Sequence, residues 1–203
     1  MGEKDNRRLT DADISQYLST GERQHVRDQK GKQLDSGGSP ILTEAAAVRN
    51  FIQDSLSGKI RNTIKGYGMV GSRFAGDVSS KSGGAVNISG YYLELDSNRL
   101  AHLSDHVEQE KDSRNIPLTS EQVQRIPDYI DGYDDLIDII ARKDGSVRLM
   151  LGKRINGTVI VIEAVSKGRK ALHPVTAYQI PTEQYENYYK KRAADRSSTP
   201  HIP

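Results

Sequence analysis

Two histidines four residues apart, His102 and His106, fall in a stretch with helical spacing. Side chains at i and i+4 share a helix face, so both imidazoles can serve one site. An imidazole titrates near neutral pH, which makes either one a candidate general base or acid. The same spacing fits a pair of metal ligands. A zinc-protease helix, however, needs Glu directly after the first His, and Leu103 stands there. No third nitrogen or carboxylate ligand is signposted. The chain has no cysteine, which excludes disulfides, thiol catalysis and Cys-based zinc sites; no metal and no cofactor are expected, with a metal-dependent hydrolase using His102 and His106 as a third alternative. A Ser-His-Asp reading finds no Gly-x-Ser-x-Gly motif to carry the nucleophile. Glu163 also stands out, as a lone carboxylate in the apolar run 159–165. Burying it alone is expensive, so it should meet a cation such as Arg148 or reach solvent.

Cations are concentrated rather than spread. Residues 91–141 hold 12 acidic and 4 basic side chains, whereas residues 142–170 hold 8 basic and 2 acidic. The formal net charge of +2 is therefore a cancellation between neighbouring segments. Arg148, Lys153 and the loop residues Lys167, Arg169 and Lys170 carry the positive charge, and His173 follows that loop. Such a surface takes phosphate-bearing ligands, or it packs against the chain's own acidic helices.

The elements that must position these groups are readable from pattern. Four strands are expected at 136–142, 147–153, 158–165 and 172–180. The first three are joined by Lys143-Asp144-Gly145-Ser146 and Arg154-Ile155-Asn156-Gly157, and Asp-Gly and Asn-Gly are strong hairpin signals. Helices precede them. Thr43 is the expected cap of one through Val48, Phe51, Ile52 and Leu56. Asp96-Ser97-Asn98 caps the His-bearing helix, and Thr119 starts another through Val123 and Ile126. A short strand is expected over 91–95. The glycines at 66, 68, 71, 76, 83, 84 and 90 predict a turn-rich connection, and 66–71 only loosely matches a dinucleotide fingerprint. A short capped helix near Thr10 and Asp11, a terminal helix with Tyr185 and Tyr189, and a disordered tail complete the reading. The fold class is α+β, with helices first and then a four-stranded antiparallel sheet.

Composition sets the outer bounds. Of 203 residues 35% are hydrophobic, and the mean hydropathy is −0.66, enough for one modest core with polar attachments or for two small units. No apolar run approaches the roughly 20 residues that span a bilayer. The polar first 20 residues do not read as a secretory signal. There is no Trp and only 2 Phe against 10 Tyr, which leaves Tyr as the residue that can stack on bases.

Several short motifs carry a resemblance. They are Leu100-Ala101-His102-Leu103-Ser104-Asp105-His106, Pro117-Leu118-Thr119, Ile126-Pro127-Asp128-Tyr129-Ile130, the segment 145–153, the strand 159–165, and Val175-Thr176-Ala177-Tyr178. In this order they resemble a phage-type nuclease domain of the barnase–EndoU–colicin–RelE superfamily, found in phage head-morphogenesis and polyvalent proteins. The similarity covers residues 91–181. Residues 1–90 then read as a polar helical or linker region, and 182–203 as a terminal helix and tail. The resemblance implies a toxin-like fold and metal-independent RNA cleavage through a 2′,3′-cyclic phosphate. It implies His102 and His106 as base or acid, Glu163 as a second acid/base, and Arg148 on the phosphorane. Thr176 and Tyr178 would orient the phosphate, and Lys153, Lys167, Arg169, Lys170 and His173 would bind substrate. RNA, including tRNA, an immunity protein and a phage structural protein are the partners it implies, in a cytoplasmic or virion-associated setting. A non-catalytic module that binds nucleic acid or a virion protein is the competing expectation.

Overall fold

Two glycine turns shape the last third of the chain. Gly145 takes a φ of 76°, and Gly157 a φ of 118°, both in the left-handed region that glycine enters without a Cβ clash. At the first turn the Ser146 backbone N–H and hydroxyl both donate to Asp144 Oδ1, at 2.9 and 2.6 Å. At the second, a Cβ on Gly157 would lie 2.7 Å from the Gln179 side chain. Each turn therefore fixes the register of the hairpin it closes.

The computed structural model describes residues 34–35, 37–109, 115–155 and 157–190. In chain order the elements are α1 Ala45–Leu56, β1 Ile64–Met69, α2 Ser72–Lys81, β2 Tyr92–Asp96, α3 Ser97–Gln109, α4 Ser120–Gln124 and α5 Ile126–Asp131. Then come β3 Asp135–Ala141, β4 Val147–Arg154, β5 Thr158–Ser166, β6 Ala171–Ile180, the short α6 Thr182–Gln184 and a π-helix Tyr185–Lys190. The expected helix near Thr10 and the tail beyond residue 190 lie outside the described residues.

The class is α+β, as expected, and the antiparallel meander β3–β4–β5–β6 is present. The sheet is larger than four strands, however. Its order is β1-β2-β6-β5-β4-β3, and β2 runs parallel to β6 through Tyr92–Ala171 and Leu93–Leu172. The extra strand β1 lies in the glycine stretch read as a turn. Gly66 is needed there for close approach: a Cβ would sit 2.6 Å from Asp35 Cβ. Asp35 itself is buried, accepting backbone N–H bonds from Gly37, Ser39 and Gly66.

All the longer helices cover one face. Val48, Phe51 and Ile52 of α1, Phe74 and Val78 of α2, Leu100 and Leu103 of α3, and Val123, Ile126 and Tyr129 of α4 and α5 form one core. They meet Leu95, Val147, Leu149, Leu151, Val161 and Leu172 of the sheet. Strand alternation sends the other set of β4 residues, Arg148, Met150 and Gly152, to the opposite face. There a smaller cluster of Ile137, Met150, Ile180 and Tyr185 covers only one end. Tyr185 lies against Gly152, where a Cβ would come within 3.4 Å of the ring. Its hydroxyl donates to Asp135 at 2.5 Å.

Helix starts follow local chemistry where a side chain can reach. Thr119 and Gln122 form a reciprocal capping box on α4. The expected cap Thr43 is displaced by one: Glu44 occupies the N-cap of α1 and makes no side-chain cap bond.

The boundary expected at residue 90 runs through this core. Truncation to 91–203 removes β1 and eight buried side chains of this core: Val48, Phe51, Ile52, Val70, Phe74, Val78, Val86 and Ile88. At about 1.5–3 kcal/mol each, that loss exceeds the net stability of a typical domain. The fragment is expected to show no cooperative thermal unfolding. A melt matching that of the full chain would show that 91–203 folds alone.

Candidate functional site

Arg148 opens the site because strand alternation leaves it on the face away from the helices. Directly opposite it on β5 is Ala164, and directly opposite Ala164 on β6 is His173. The three form one row across three strands, continued on β3 by Ile140. Residues paired in this way point to the same side of a sheet. Arg148 and His173 thus flank a residue that ends at Cβ.

A β-bulge completes the arrangement. Ile162 pairs with Thr176, but the next residue, Glu163, pairs with Pro174, so Val175 is skipped. Without the bulge His173 and Thr176, three apart, would face opposite sides. With it both lie on the Arg148 face. Thr176 sits one row from His173, and its hydroxyl donates to the Val175 carbonyl at 2.8 Å.

The charge environment is unusual for this surface. Arg148 is half-buried, and among the described residues no carboxylate lies within ion-pair distance of it. Burial, with the nearby charges of Arg142 and Arg99, lowers its pKa. His173 is half-buried too. Burial first, then the charges of Arg99 and Arg169, push its pKa down to about 4, and Asp96 opposes them only in part. Arg142 and Arg99, opposed by Asp144, thus act on Arg148, and a neutral imidazole that can accept a proton lies across the row.

Arg99 was not singled out by the sequence, and its place is over-determined. Asp96 Oδ1 caps α3, accepting from the backbone N–H of Asn98 at 2.9 Å and of Arg99 at 3.3 Å. Ser97 and Thr63 exchange two bonds, and the Asn98 and Asn62 pair exchanges two more. These ties hold the first turn of α3 beside β6, with Arg99 3.7 Å from Asp96. His102 is exposed one turn further along the same helix. His106 lies on α3 as well, and its side chain is outside the described residues. The spacing 99, 102, 106 was the available signal, since it aligns Arg99 with both histidines.

The basic loop is anchored from β2. The buried Glu94 carboxylate receives a forked pair from Arg169, at 3.3 Å from Nε and 3.2 Å from Nη2. The Tyr92 N–H donates to the Lys170 carbonyl at 2.9 Å. Lys170 has a left-handed φ of 50°, and Lys167 is exposed.

Other expected site residues lie elsewhere. Lys153 is held 3.1 Å from Asp134, and its neighbour Arg154 2.6 Å from Asp135, at the far end of β4 from Arg148. Five residues of strand put about 16 Å between Lys153 and the Arg148 row, which removes Lys153 from this site. Tyr178 pairs with Ile160, two rows from His173, and packs against the Met150–Tyr185 cluster. The side chain of Glu163 is outside the described residues. Its backbone pairs with Leu149 and Pro174, one position out of the Arg148 row, so the expected Glu163–Arg148 partnership does not follow from the register. Among the described residues no three His, Asp or Glu side chains are grouped to hold a metal ion. Nor is any described helix long and apolar enough to cross a membrane.

Comparison with known proteins finds no matching family model, no matching curated protein and no matching solved structure.

The His173 shift has a testable sign. Its folded pKa lies below the 6.5 of an ordinary imidazole, so between pH 6.5 and about 4 the unfolded chain binds a proton that the folded chain does not. This group's contribution to stability is full above pH 6.5 and is lost as pH falls through 4. An NMR titration is expected to place the His173 midpoint near 4 and to move it upward in Arg99→Ala. A midpoint at 6.5 in the wild type would refute this electrostatic account.

Proposed function

We propose that the chain is a metal-independent ribonuclease, a toxin-like effector of phage or mobile-element type, with its site on the open sheet face. The observation that carries this reading is the row Arg148–Ala164–His173. It places a half-buried guanidinium, with no carboxylate in ion-pair distance among the described residues, across from an imidazole that is neutral at pH 7. The order of helices followed by the antiparallel run β3–β4–β5–β6 also supports it.

In this mechanism Arg148 and Arg99 bind the scissile phosphate and stabilise the charge that grows on it. The neutral His173 accepts the proton of the ribose 2′-OH as that oxygen bonds to phosphorus. The bond from phosphorus to the 5′-oxygen breaks, and His102 or His106 supplies a proton to the departing oxygen. The products are a 2′,3′-cyclic phosphate and a 5′-OH. The Thr176 hydroxyl, one row away, orients the phosphate, and Lys167, Lys170 and the anchored Arg169 attract the RNA backbone.

A second reading, a nucleic-acid-binding module without catalysis, is favoured by one observation. Only one described imidazole, His173, lies in the row, while His102 is exposed on the helix beside it. The two readings separate in one assay. The purified chain is expected to cleave single-stranded RNA in EDTA and leave cyclic phosphate ends. Arg148→Ala is expected to lower kcat/KM by about 100-fold or more while the protein stays folded. His102→Ala/His106→Ala together should also abolish cleavage. Salt-sensitive RNA binding with no cleavage by the wild type would reject the enzyme and support the binding module.

A further inference from the structure

The face that carries Arg148 is not equally open along its length. Four β5 positions on it have partners on both sides. Thr158 lies between Arg154 and Ile180, Ile160 between Gly152 and Tyr178, Ile162 between Met150 and Thr176, and Ala164 between Arg148 and His173. Only Ala164 ends at Cβ. The smallest residue of the series therefore falls where its two neighbours are a guanidinium and an imidazole.

Two further features mark this gap. Strands lie about 4.8 Å apart, so β4 and β6 are separated by roughly 10 Å across Ala164, which leaves room for a ligand between the long side chains. The Ile137–Tyr185 cluster that covers the face reaches this row only on β3, where Ile140 packs against it; no member of the row on β4, β5 or β6 belongs to it. Among the described residues this half-buried guanidinium has no carboxylate within ion-pair distance, the anion that such a group ordinarily meets.

We propose that Ala164 is the floor of a subsite for one tetrahedral phosphate group, bounded by Arg148 and His173, and that the missing side chain beyond its Cβ is what admits the anion. Resting on the ribonuclease reading for its use, the subsite holds the phosphate at the scissile bond. Ala164 is a positioning residue in it. It touches the anion without giving or taking a proton, and its size decides whether Arg148 and His173 can grip one phosphate between them.

The test uses the full chain and inorganic phosphate. The His173 imidazole resonances are followed by NMR at pH 7 as phosphate is added. A saturable shift is expected in the wild type and should disappear in Arg148→Ala. Ala164→Val, a β-favouring change that adds only two methyl groups, should weaken phosphate binding at least tenfold. Ala164→Leu should abolish it. Saturation in Ala164→Val or Ala164→Leu at wild-type phosphate concentrations would overturn the proposal, as would a wild-type His173 that phosphate leaves unmoved. RNA cleavage by the same proteins keeps the two ideas apart. Phosphate binding that depends on Ala164, with no cleavage by the wild type, sustains the subsite and defeats the ribonuclease. Equal cleavage by wild type, Ala164→Val and Ala164→Leu defeats the subsite and sustains the ribonuclease.

Discussion

The ladder between β5 and β6 skips Val175, and the rest of the site depends on that skip. Backbone bonds pair Ile162 with Thr176 and then Glu163 with Pro174. Because side chains alternate every residue, one extra residue in a strand exchanges the faces of everything beyond it. Upstream of the bulge His173 joins the open face, while Leu172 enters the main core against Leu93. Were the strand regular, His173 and Leu172 would change places, and a buried imidazole would replace a core leucine. The hydrophobic requirement of Leu172 and the position of His173 are thus one constraint.

Around that register the molecule divides its work by face. The helix face supplies most of the apolar burial, and both N-terminal helices and β1 take part in it. The open face carries the polar groups. At one end Tyr185, Asp135, Arg154 and Gly152 close it with ring packing and short charge-assisted bonds. At the other end Glu94 fixes Arg169, and Asp96 fixes the start of α3. Arg148 then lies near Arg99, which Asp96 holds at 3.7 Å, and beside the neutral His173. Fixing like-charged groups near one another costs stability, and this arrangement places that cost where an anion would relieve it.

The elements that were legible were those whose cause is local. The four meander strands fall within one residue of expectation, because Gly145 and Gly157 mark the turns and the alternation runs between them. The Asp96 and Thr119 caps were legible for the same reason: acceptor and donor are two or three residues apart. Helix α2 was missed because only Phe74 and Val78 of its ten residues are buried apolar side chains and Gly76 interrupts it. Strand β1 was missed because Gly66 serves a contact with Asp35, 31 residues away.

The sequence by itself determined the α+β class, the hairpins, the concentration of cations after residue 141 and the amino-acid types available for chemistry. These follow from short-range propensity, from alternation and from counting. Only the tertiary structure decided which cations are free to act. Lys153 and Arg154 are drawn to Asp134 and Asp135 because the β3–β4 hairpin folds the end of the acidic segment onto them. Arg169 is drawn to Glu94 because β2 runs parallel beside β6, a pairing between residues about 75 positions apart that no local pattern encodes. Arg148 meets no carboxylate among the described residues because its row offers it Ala164 and His173, and that row exists only once the bulge at Val175 has set the register.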